Sequence, residues 1–425
     1  MAGTAGDTIV ALSSGRVPSA IAVIRTSGPA ALAAAAAVAG RIPEPRRASL
    51  RALRGADGGL IDRGLVVFFP GPDTATGEDI VEYQCHGSKA VVKALIAALS
   101  AQPAVRRAEP GEFTRRALTN GRIDLTQAEG LAELLDAENE VQRRSALLRA
   151  EGGLRRQVKE WRAILLAMSA EAEVAIDYAD EDDGGHAFDP ADRIAALLAS
   201  IDLLLRAPRV ERARDGVRLV VAGPPNAGKS SLVNALAGEA RAIVTHIPGT
   251  TRDLIEVPLS IGGVPVTLVD TAGLRETGDT VEAIGVDLAR GAIGRSDLLI
   301  WLGAADDAPS HPNRLQITSK ADLHPDGIGL CVSVISGEGL EELRGWIIAQ
   351  ALPMLPSTEQ PGLNAREATL VEECRSALQR TQRLSDPITV AEELRLARAS
   401  LDQVTGHSGV DSLLDALFGR FCLGK

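Results

Sequence analysis

The segment "GPPNAGKS", residues 223–230, fits the pattern G-x4-G-K-[ST], whose residue types suit the phosphates of a nucleotide. It follows the apolar run "VRLVVA" and precedes "KSSLVNALAG", so a strand is predicted before it and a helix after it. The glycines let backbone N–H groups surround the phosphates, and the helix N-terminus adds positive potential. Lys229 is therefore predicted to reach the β- and γ-phosphates, and Ser230 to bind Mg²⁺.

Two further segments suit a nucleotide switch. Asp270 ends the apolar run "VPVTLVD", where a carboxylate near Mg²⁺ is expected, and Gly273 of "DTAG" is predicted to offer its N–H to the γ-phosphate. Between these motifs, "PGTTRD" carries Thr250 and Thr251, which are expected to close over Mg²⁺. Leu274 stands where many small GTPases have a glutamine that positions water. Because leucine forms no hydrogen bond through its side chain, another group must orient the attacking water.

A base-reading loop is predicted at "TSKAD", residues 318–322, which is similar to N-K-x-D with Ser319 in place of asparagine. Asp322 can accept hydrogen bonds from the N1–H and the amine of guanine, and Lys320 can cover the base plane. The segment "VSVISGEGLEEL" is similar to the fifth element of GTPases, with Val334 where alanine is usual. Guanine is the predicted base, and an ATPase is an alternative that rests on Ser319 alone.

Composition limits the class of protein. A chain of 425 residues is too long for one ordinary core, so two or three domains are expected. The net charge of −11 argues against a protein that coats nucleic acid non-specifically, although it leaves room for a local basic site. The four cysteines have no CxxC spacing, which indicates neither a zinc ribbon nor a disulfide framework. No stretch is long and apolar enough for a membrane span, so a soluble, cytoplasmic protein is predicted.

Changes in residue composition and hydrophobic pattern along the chain predict a multidomain protein. Residues 1–120 alternate short apolar runs with turns and helices, which indicates an α+β domain. Leucine- and alanine-rich helices fill residues 121–212, and a βαβ pattern at residues 213–355 predicts an inserted α/β P-loop GTPase domain with a mostly parallel sheet. Residues 356–425 are helical again. They are predicted to complete the all-α helical domain by packing against its first part.

The whole chain resembles the MnmE (TrmE) family of GTPases that act in tRNA modification. The segments "TGEDIVEYQCHG", "EPGEFTRRALTNGRIDLTQAEGLAELLDA", "DTAGLRET" and the terminal "FCLGK" occur in the family's order. The N-terminal segments and the terminal Cys-x-Gly-Lys are far more specific than the P-loop, which many families share. The chain departs from the family pattern at Ser319, at Val334, and at Ser88, where a second glycine is usual.

The resemblance implies that K⁺ supplies the missing positive charge at the phosphates. Its ligands would be Asn226, Thr245, the backbone carbonyl of Ile247, and Thr250, while Ser230 and Thr251 bind Mg²⁺. The catalytic residues implied are Glu282, which orients the water, with Lys229 and Cys422. The implied GTP-binding residues are Asn226, Ala227, Gly228, Lys229, Ser230, Ser231, Thr245, His246, Ile247, Pro248, Gly249, Thr250, Thr251, Asp270, Thr271, Ala272, Gly273, Ser319, Lys320, Ala321, Asp322, Ser333 and Val334.

The resemblance also implies a folate-binding N-terminal domain through which the chain forms a homodimer. Arg25, Glu82, Arg122 and Lys425 match the ligand positions for a one-carbon donor, either 5,10-methylenetetrahydrofolate or 5-formyltetrahydrofolate. Cys422 lies close to Lys425 in sequence and has either a chemical role or a packing role.

The implied reaction is modification of the wobble uridine, position 34 of certain tRNAs, at C5 to (carboxymethyl)aminomethyluridine. The implied partner is the FAD-dependent protein MnmG (GidA). Because no G-x-G-x-x-G follows a predicted strand in this chain, redox chemistry is expected to come from that partner. The alternative is a regulatory or ribosome-assembly GTPase that acts as a switch without one-carbon chemistry.

Overall fold

The computed structural model describes residues 6–177, 188–239, 255–270, 290–323, 329–384 and 386–406, together with Leu417 and Gly424. The chain forms two compact units. The first comprises Met1–Ala132 with Thr405–Lys425, and the second comprises Glu133–Val404. No helix in the described ranges has the length and apolar character needed to cross a membrane.

The first unit is built on a six-stranded sheet. Its strands are β1 (Thr8–Leu12), β2 (Ser19–Ser27), β3 (Ser49–Arg54), β4 (Leu60–Phe69), β5 (Ile80–Gly87) and β6 (Val105–Arg107). The spatial order is β3-β4-β5-β2-β1-β6, and β1 pairs with β6 in parallel while the other pairs are antiparallel. The helices that begin in this unit are α1 (Ala31–Ala39), α2 (Lys89–Ser100), α3 (Glu112–Thr119) and α4 (Leu125–Leu135).

Side-chain alternation along the strands separates the two faces of this sheet. Ile24, Val66 and Tyr83 point to one face and are buried in a core that also includes apolar residues of α1 and α2. Residues one position away along each strand point to the opposite face, which includes the cross-strand pair Leu50 and Leu65. The two leucines are 62% and 38% exposed, so this region of the opposite face is open.

A network of ion pairs ties the start of β1 to α3. Arg106 and Arg116 each donate to Asp7 over 2.6 Å, and Arg106 also donates to Glu112 over 2.8 Å. Burial by itself would raise the pKa of Asp7, but hydrogen bonds from the two arginines outweigh it and hold that pKa below its usual value. Burial would likewise raise the pKa of Glu112, but hydrogen bonds from Arg106, from the N–H of Glu109 and from Arg116, together with the charge of Arg106, outweigh it and lower that pKa.

The second unit combines helices with a second six-stranded sheet. Its helices are α5 (Glu140–Ala150), α6 (Gly153–Asp177), α7 (Ala191–Arg206), α8 (Glu211–Asp215), α9 (Lys229–Glu239), α10 (Leu340–Ala351), α11 (Ala365–Thr381) and α12 (Pro387–Thr405). Its strands are β7 (Val217–Ala222), β8 (Ile255–Ile261), β9 (Val264–Asp270), β10 (Leu298–Trp301), β11 (Arg314–Ser319) and β12 (Leu330–Val332).

Helices that precede the second sheet in the sequence and helices that follow it share one hydrophobic core. Trp161 of α6, Ile201 of α7, Val371 of α11 and Leu401 of α12 are all buried within it. The chain therefore leaves a helical bundle, builds the sheet and returns to the same bundle. The predicted fold class is confirmed in its main parts: an α+β N-terminal unit, a helical domain and an inserted α/β domain.

The order of the second sheet is β12-β11-β10-β7-β9-β8. Only the β8–β9 pair among these is antiparallel, so the sheet is mostly parallel, as predicted. The strands that follow β7 lie on both of its sides, which places a topological switch point at the carboxyl end of β7. The glycine-rich loop leaves the sheet at this point, where ligands of open α/β sheets bind.

Candidate functional site

The geometry of the predicted phosphate-binding loop, residues 223–230, requires its glycines. Gly223, directly after β7, has φ +153°, and a Cβ there would lie 3.0 Å from the carbonyl carbon of Leu302. The N–H of Leu302 donates to the carbonyl of Ala222 over 2.9 Å, so the chain after β10 runs close to the loop. Gly228 has φ +88°, and Asn226, which is exposed, has φ +60°. Glycine and asparagine tolerate this left-handed region better than other residues do.

Lys229 begins α9 and folds back over the loop. Its Nζ donates to the carbonyls of Gly223 over 3.0 Å and Pro224 over 2.7 Å. The ammonium group is therefore held by the loop's own carbonyls at the helix N-terminus. Ser230 and Ser231 follow in the first turn of α9 and are exposed, so the hydroxyl of Ser230 is accessible to a metal ion.

The predicted base-reading loop is bonded to the phosphate-binding loop. Ser319, the last residue of β11, donates its hydroxyl to the backbone carbonyl of Ala227 over 2.6 Å. A hydroxyl has one proton, and this contact uses it. Ser319 therefore links the two loops, and its side chain has no second donor to offer a base.

The segment predicted as the fifth GTPase element is bonded to the predicted base-reading loop in turn. The hydroxyl of Ser333, which is fully buried, donates to Oδ1 of Asp322 over 2.7 Å, and the N–H of Ala321 donates to the carbonyl of Val332 over 3.2 Å. Lys320 is exposed and has φ +59°. The structure thus brings the candidate base-reading residues and the phosphate-binding loop to one end of the sheet.

Asp270 is the last residue of β9, and its backbone pairs in register with Val221 of β7. This register places the end of β9 beside the strand that carries the phosphate-binding loop. The remaining switch residues lie outside the described residues, as do both C-terminal candidates. They are Thr245, His246, Ile247, Pro248, Gly249, Thr250, Thr251, Thr271, Ala272, Gly273, Glu282, Cys422 and Lys425.

In the first unit, two of the candidate folate ligands contact each other directly. Arg25 on β2 is the cross-strand partner of Glu82 on β5, and its Nε and Nη2 donate to Oε1 of Glu82 over 2.9 and 2.7 Å. The guanidinium of Arg25 also lies 5.8 Å from the ring centroid of Phe113. This aromatic contact was not predicted from the sequence, because α3 is far from β2 along the chain.

Arg122, the third described candidate, is bonded elsewhere. Its Nη2 donates to Asp73 over 2.7 Å, and its Nε donates to the carbonyl of Thr74 over 3.1 Å. The side chain is thus anchored to the loop that precedes β5. The pairing of Arg25 with Glu82 and the anchoring of Arg122 are separate contacts of the first unit.

Gly424 contacts the end of β1 and the residue that follows it. Ser13 donates its hydroxyl to the carbonyl of Gly424 over 2.9 Å. Gly424 has φ +101°, and a Cβ there would lie 2.1 Å from the carbonyl oxygen of Leu12, so only glycine fits. Sequence reasoning did not identify Ser13, because the two residues are 411 positions apart and no pattern connects them.

Comparison with known proteins identifies the family. A family model described as the MnmE helical domain matches residues 125–422, and one described as the GTP-binding protein TrmE N-terminus matches residues 8–122. The tRNA modification GTPase MnmE of Rhizorhabdus wittichii is 49% identical, over 99% of this chain and 97% of that protein. The protein of the same name from Novosphingobium aromaticivorans is 48% identical, over 99% of this chain and 100% of that protein.

Among solved structures, the G domain of the T. maritima FeoB iron transporter is 26% identical, with a TM-score of 0.25, over 32% of this chain and 98% of that domain. The assignment rests on the two family models and on the near full-length relatives. The chain belongs to the MnmE family of tRNA modification GTPases.

Proposed function

We propose that this chain is a potassium-dependent cytoplasmic GTPase that modifies the wobble uridine of certain tRNAs at C5. It acts with the FAD-dependent partner MnmG (GidA) and a tetrahydrofolate one-carbon donor. The observation that carries the nucleotide part is the bond from Ser319 to Ala227, because it fixes the base-reading loop against the phosphate-binding loop. Membership of the MnmE family supports the proposed action on tRNA.

The phosphate-binding loop fits a nucleoside triphosphate with Mg²⁺. Lys229 exchanges the carbonyls of Gly223 and Pro224 for phosphate oxygens, and the loop's N–H groups surround the β-phosphate. Ser230, which is exposed, and Thr251 would hold Mg²⁺, and Asp270 would act close to the same ion. The ion, when bound, offsets the negative charge of the β- and γ-phosphates.

Asn226 fits the role of a potassium ligand. It has a left-handed backbone with φ +60° and is exposed, so its carboxamide is accessible to a ligand. A carboxamide oxygen is a suitable ligand for a hard cation, and Thr245, Ile247 and Thr250 would supply further oxygens. K⁺, when bound, supplies positive charge beside the phosphates. Glu282 orients the attacking water. Leu274 does not fill this role, because its side chain forms no hydrogen bond.

The open face of the first sheet suits both folate binding and dimer formation. By strand register, Arg25 and Glu82 point to the same face as Leu50, Leu65 and the 63% exposed Ile21. Aliphatic side chains exposed together in this way are typical of an interface, and a two-fold dimer uses the same patch on both partners. The homodimer would therefore form around the folate ligands.

The charges of the candidate ligands match the chemistry of a folate. A carboxylate such as that of Glu82 can accept hydrogen bonds from the amino-pyrimidine end of the pterin, and guanidinium groups pair with glutamyl carboxylates. Arg25, Arg122 and Lys425 are the cations proposed for this purpose. The folate, when bound, supplies the one-carbon unit.

Mass analysis of wobble uridines tests the proposed function. Cells that lack this chain are expected to lose the C5 modification, and re-expression of the chain is expected to restore it. A Lys229→Ala variant is the control for the nucleotide site. It keeps the candidate folate residues and removes only the proposed contact of Lys229 with phosphate. An unchanged modification pattern in the deletion strain would contradict the proposal and favour a regulatory or ribosome-assembly GTPase.

A further inference from the structure

One edge of the first sheet carries a concentration of positive charge. Residues 41–63 contain six arginines and three carboxylates, which gives a net charge of +3 in a chain whose net charge is −11. Strand β3 lies within this segment and is the first strand in the spatial order of the sheet, so no described strand pairs with its outer side. A local positive surface on an acidic protein indicates contact with a polyanion at that place, because the rest of the surface repels one.

Three of these arginines, Arg41, Arg51 and Arg54, form what we call the arginine edge. The Nε of Arg51 donates to the backbone carbonyl of Arg41 over 2.8 Å, so the two residues are in direct contact. The Nη1 of Arg54 donates to the backbone carbonyl of Gly58 over 2.9 Å. Three residues of strand span about 10 Å, so Arg51 and Arg54 are spaced along the edge at that separation.

The charge of the arginine edge is not neutralised by neighbouring carboxylates. Within the described ranges none of its three arginines forms an ion pair, whereas Arg106 and Arg116 of the same unit both donate to Asp7. The carboxylates of the segment have other partners: Glu44 is bonded to Arg47, Asp62 to His86 and Asp57 to the N–H of Gly59. A backbone carbonyl holds a guanidinium without cancelling its charge and uses one or two of its five donors. The remaining donors are available to a ligand.

The chemistry of the arginine edge fits the phosphate backbone of a nucleic acid. Guanidinium groups bind phosphate through paired N–H donors, and several of them in a row can contact successive phosphates. Residues 41–63 contain no aromatic side chain on which a base could stack. Binding at this edge therefore depends on the charge of the nucleic acid and not on its base sequence.

We propose that the arginine edge binds the phosphate backbone of tRNA and thereby docks the substrate of the proposed modification. This inference rests on the proposed function, which includes tRNA but assigns no surface of this chain to it. Arg51 alternates with Leu50 along β3 and so points away from the face proposed for the homodimer. A second copy on that face would leave the edge open to tRNA.

Binding of a labelled tRNA transcript with uridine at position 34 to the full-length chain, measured by fluorescence anisotropy over a series of KCl concentrations, tests the proposal. The triple variant Arg41→Gln, Arg51→Gln, Arg54→Gln is expected to bind about tenfold or more weakly at about 0.1 M KCl. The slope of log affinity against log salt should fall by about two to three, because each phosphate contact contributes about one. Transcripts of different sequence should lose affinity equally.

The matched control makes the same change of net charge at three exposed arginines of the second unit. Arg193, Arg380 and Arg395, each paired with a glutamate, are replaced by glutamine. This variant is expected to bind tRNA within about twofold of the wild type, with an unchanged slope. The single variants Arg41→Gln and Arg54→Gln should each lower the slope by about one, which keeps the test valid if the triple variant has a lowered melting temperature.

Two results would overturn the inference. One is an unchanged tRNA affinity and slope in the triple and single variants, which would leave the arginines the role of preventing other chains from pairing with an edge strand. The other is a wild-type chain that binds no tRNA. In either case the wobble-uridine analysis of the deletion strain still decides the proposed function separately. Lost binding in the triple variant, together with unchanged wobble uridines in the deletion strain, would support the RNA-binding edge and overturn the proposed function.

Discussion

The hydroxyl of Ser319 lies 2.6 Å from the backbone oxygen of Ala227, and this hydrogen bond joins two loops that are 92 positions apart. An asparagine at position 319 would have a longer side chain with two donors and an acceptor. Serine keeps the bond between the loops but lacks the additional groups. The consequences for nucleotide affinity are directly measurable.

Replacing Ser319 is expected to change GDP affinity in both directions. Ser319→Asn should tighten GDP binding about fivefold, because the amide can bond to Ala227 and still reach the base. Ser319→Ala should weaken it, since the bond between the loops is lost. Titration calorimetry with GDP measures both, and ADP serves as the ligand control. An Asn variant that binds GDP no better than the wild type would show that side-chain reach at this position does not limit affinity.

Hydrolysis of GTP is expected to depend on potassium. Steady-state rates in KCl should exceed those in NaCl about tenfold or more at equal ionic strength, because a positive charge beside the phosphates stabilises the transition state. Asn226→Gly should remove the difference. Glycine accepts the φ of +60° found at this position, so the variant removes the carboxamide without straining the loop. Equal rates of the wild type in both salts would exclude a selective potassium site.

Glu282→Ala is expected to lower the rate of GTP hydrolysis about 10²-fold while GDP affinity stays nearly constant. A group that orients water acts mainly in the transition state, so its loss affects turnover more than binding. Single-turnover hydrolysis and GDP titration measure the two quantities. Glu359→Ala, at an exposed position outside the candidate site, is the control and should behave as the wild type. Unchanged hydrolysis in Glu282→Ala would assign the water-orienting role to another residue.

Removal of residues 422–425 is expected to abolish uridine modification and to leave GTP hydrolysis within about twofold. Gly424 lies against Leu12 and Ser13 in the first unit, whereas the phosphate-binding loop belongs to the second, and changes at sites with no shared partners have small effects on each other. Wobble-uridine analysis and a GTPase assay on the same preparation measure the two activities. Normal modification by the truncated chain would contradict a chemical role for the C-terminus, and loss of both activities would indicate a structural role.

The first unit is expected to lose stability in acid. The pKa values of Asp7 and Glu112 are lower in the folded chain than in the unfolded chain, so their contribution is present above the unfolded values and is lost as the pH falls through the folded ones. The rates of backbone amide hydrogen exchange in β1 and β6, corrected for intrinsic rates, should therefore be constant from neutral pH down to about pH 5. They should increase below about pH 4. Asp7→Asn should flatten this dependence. If the pH dependence of hydrogen exchange persisted in Asp7→Asn, the acid sensitivity would belong to other groups.

The sequence by itself determined the chemistry-bearing loop and the fold class. The glycine spacing of residues 223–230, between an apolar run and a segment of helix-forming residues, predicts a strand, a loop and a helix, because these preferences act over a few neighbouring residues. The same reasoning predicted the mostly parallel sheet from alternating strands and helices. Local periodicity encodes such features.

Tertiary structure alone decided which distant groups meet. The contacts of Ser319 with Ala227, of Arg25 with Glu82 and Phe113, and of Ser13 with Gly424 all join segments far apart in the chain. Strand order and register create these contacts, and a register shift of one residue would reverse the face to which Arg25 points. Residue types and local spacing do not specify that register. It follows from how the strands and helices of each unit pack around that unit's own core residues.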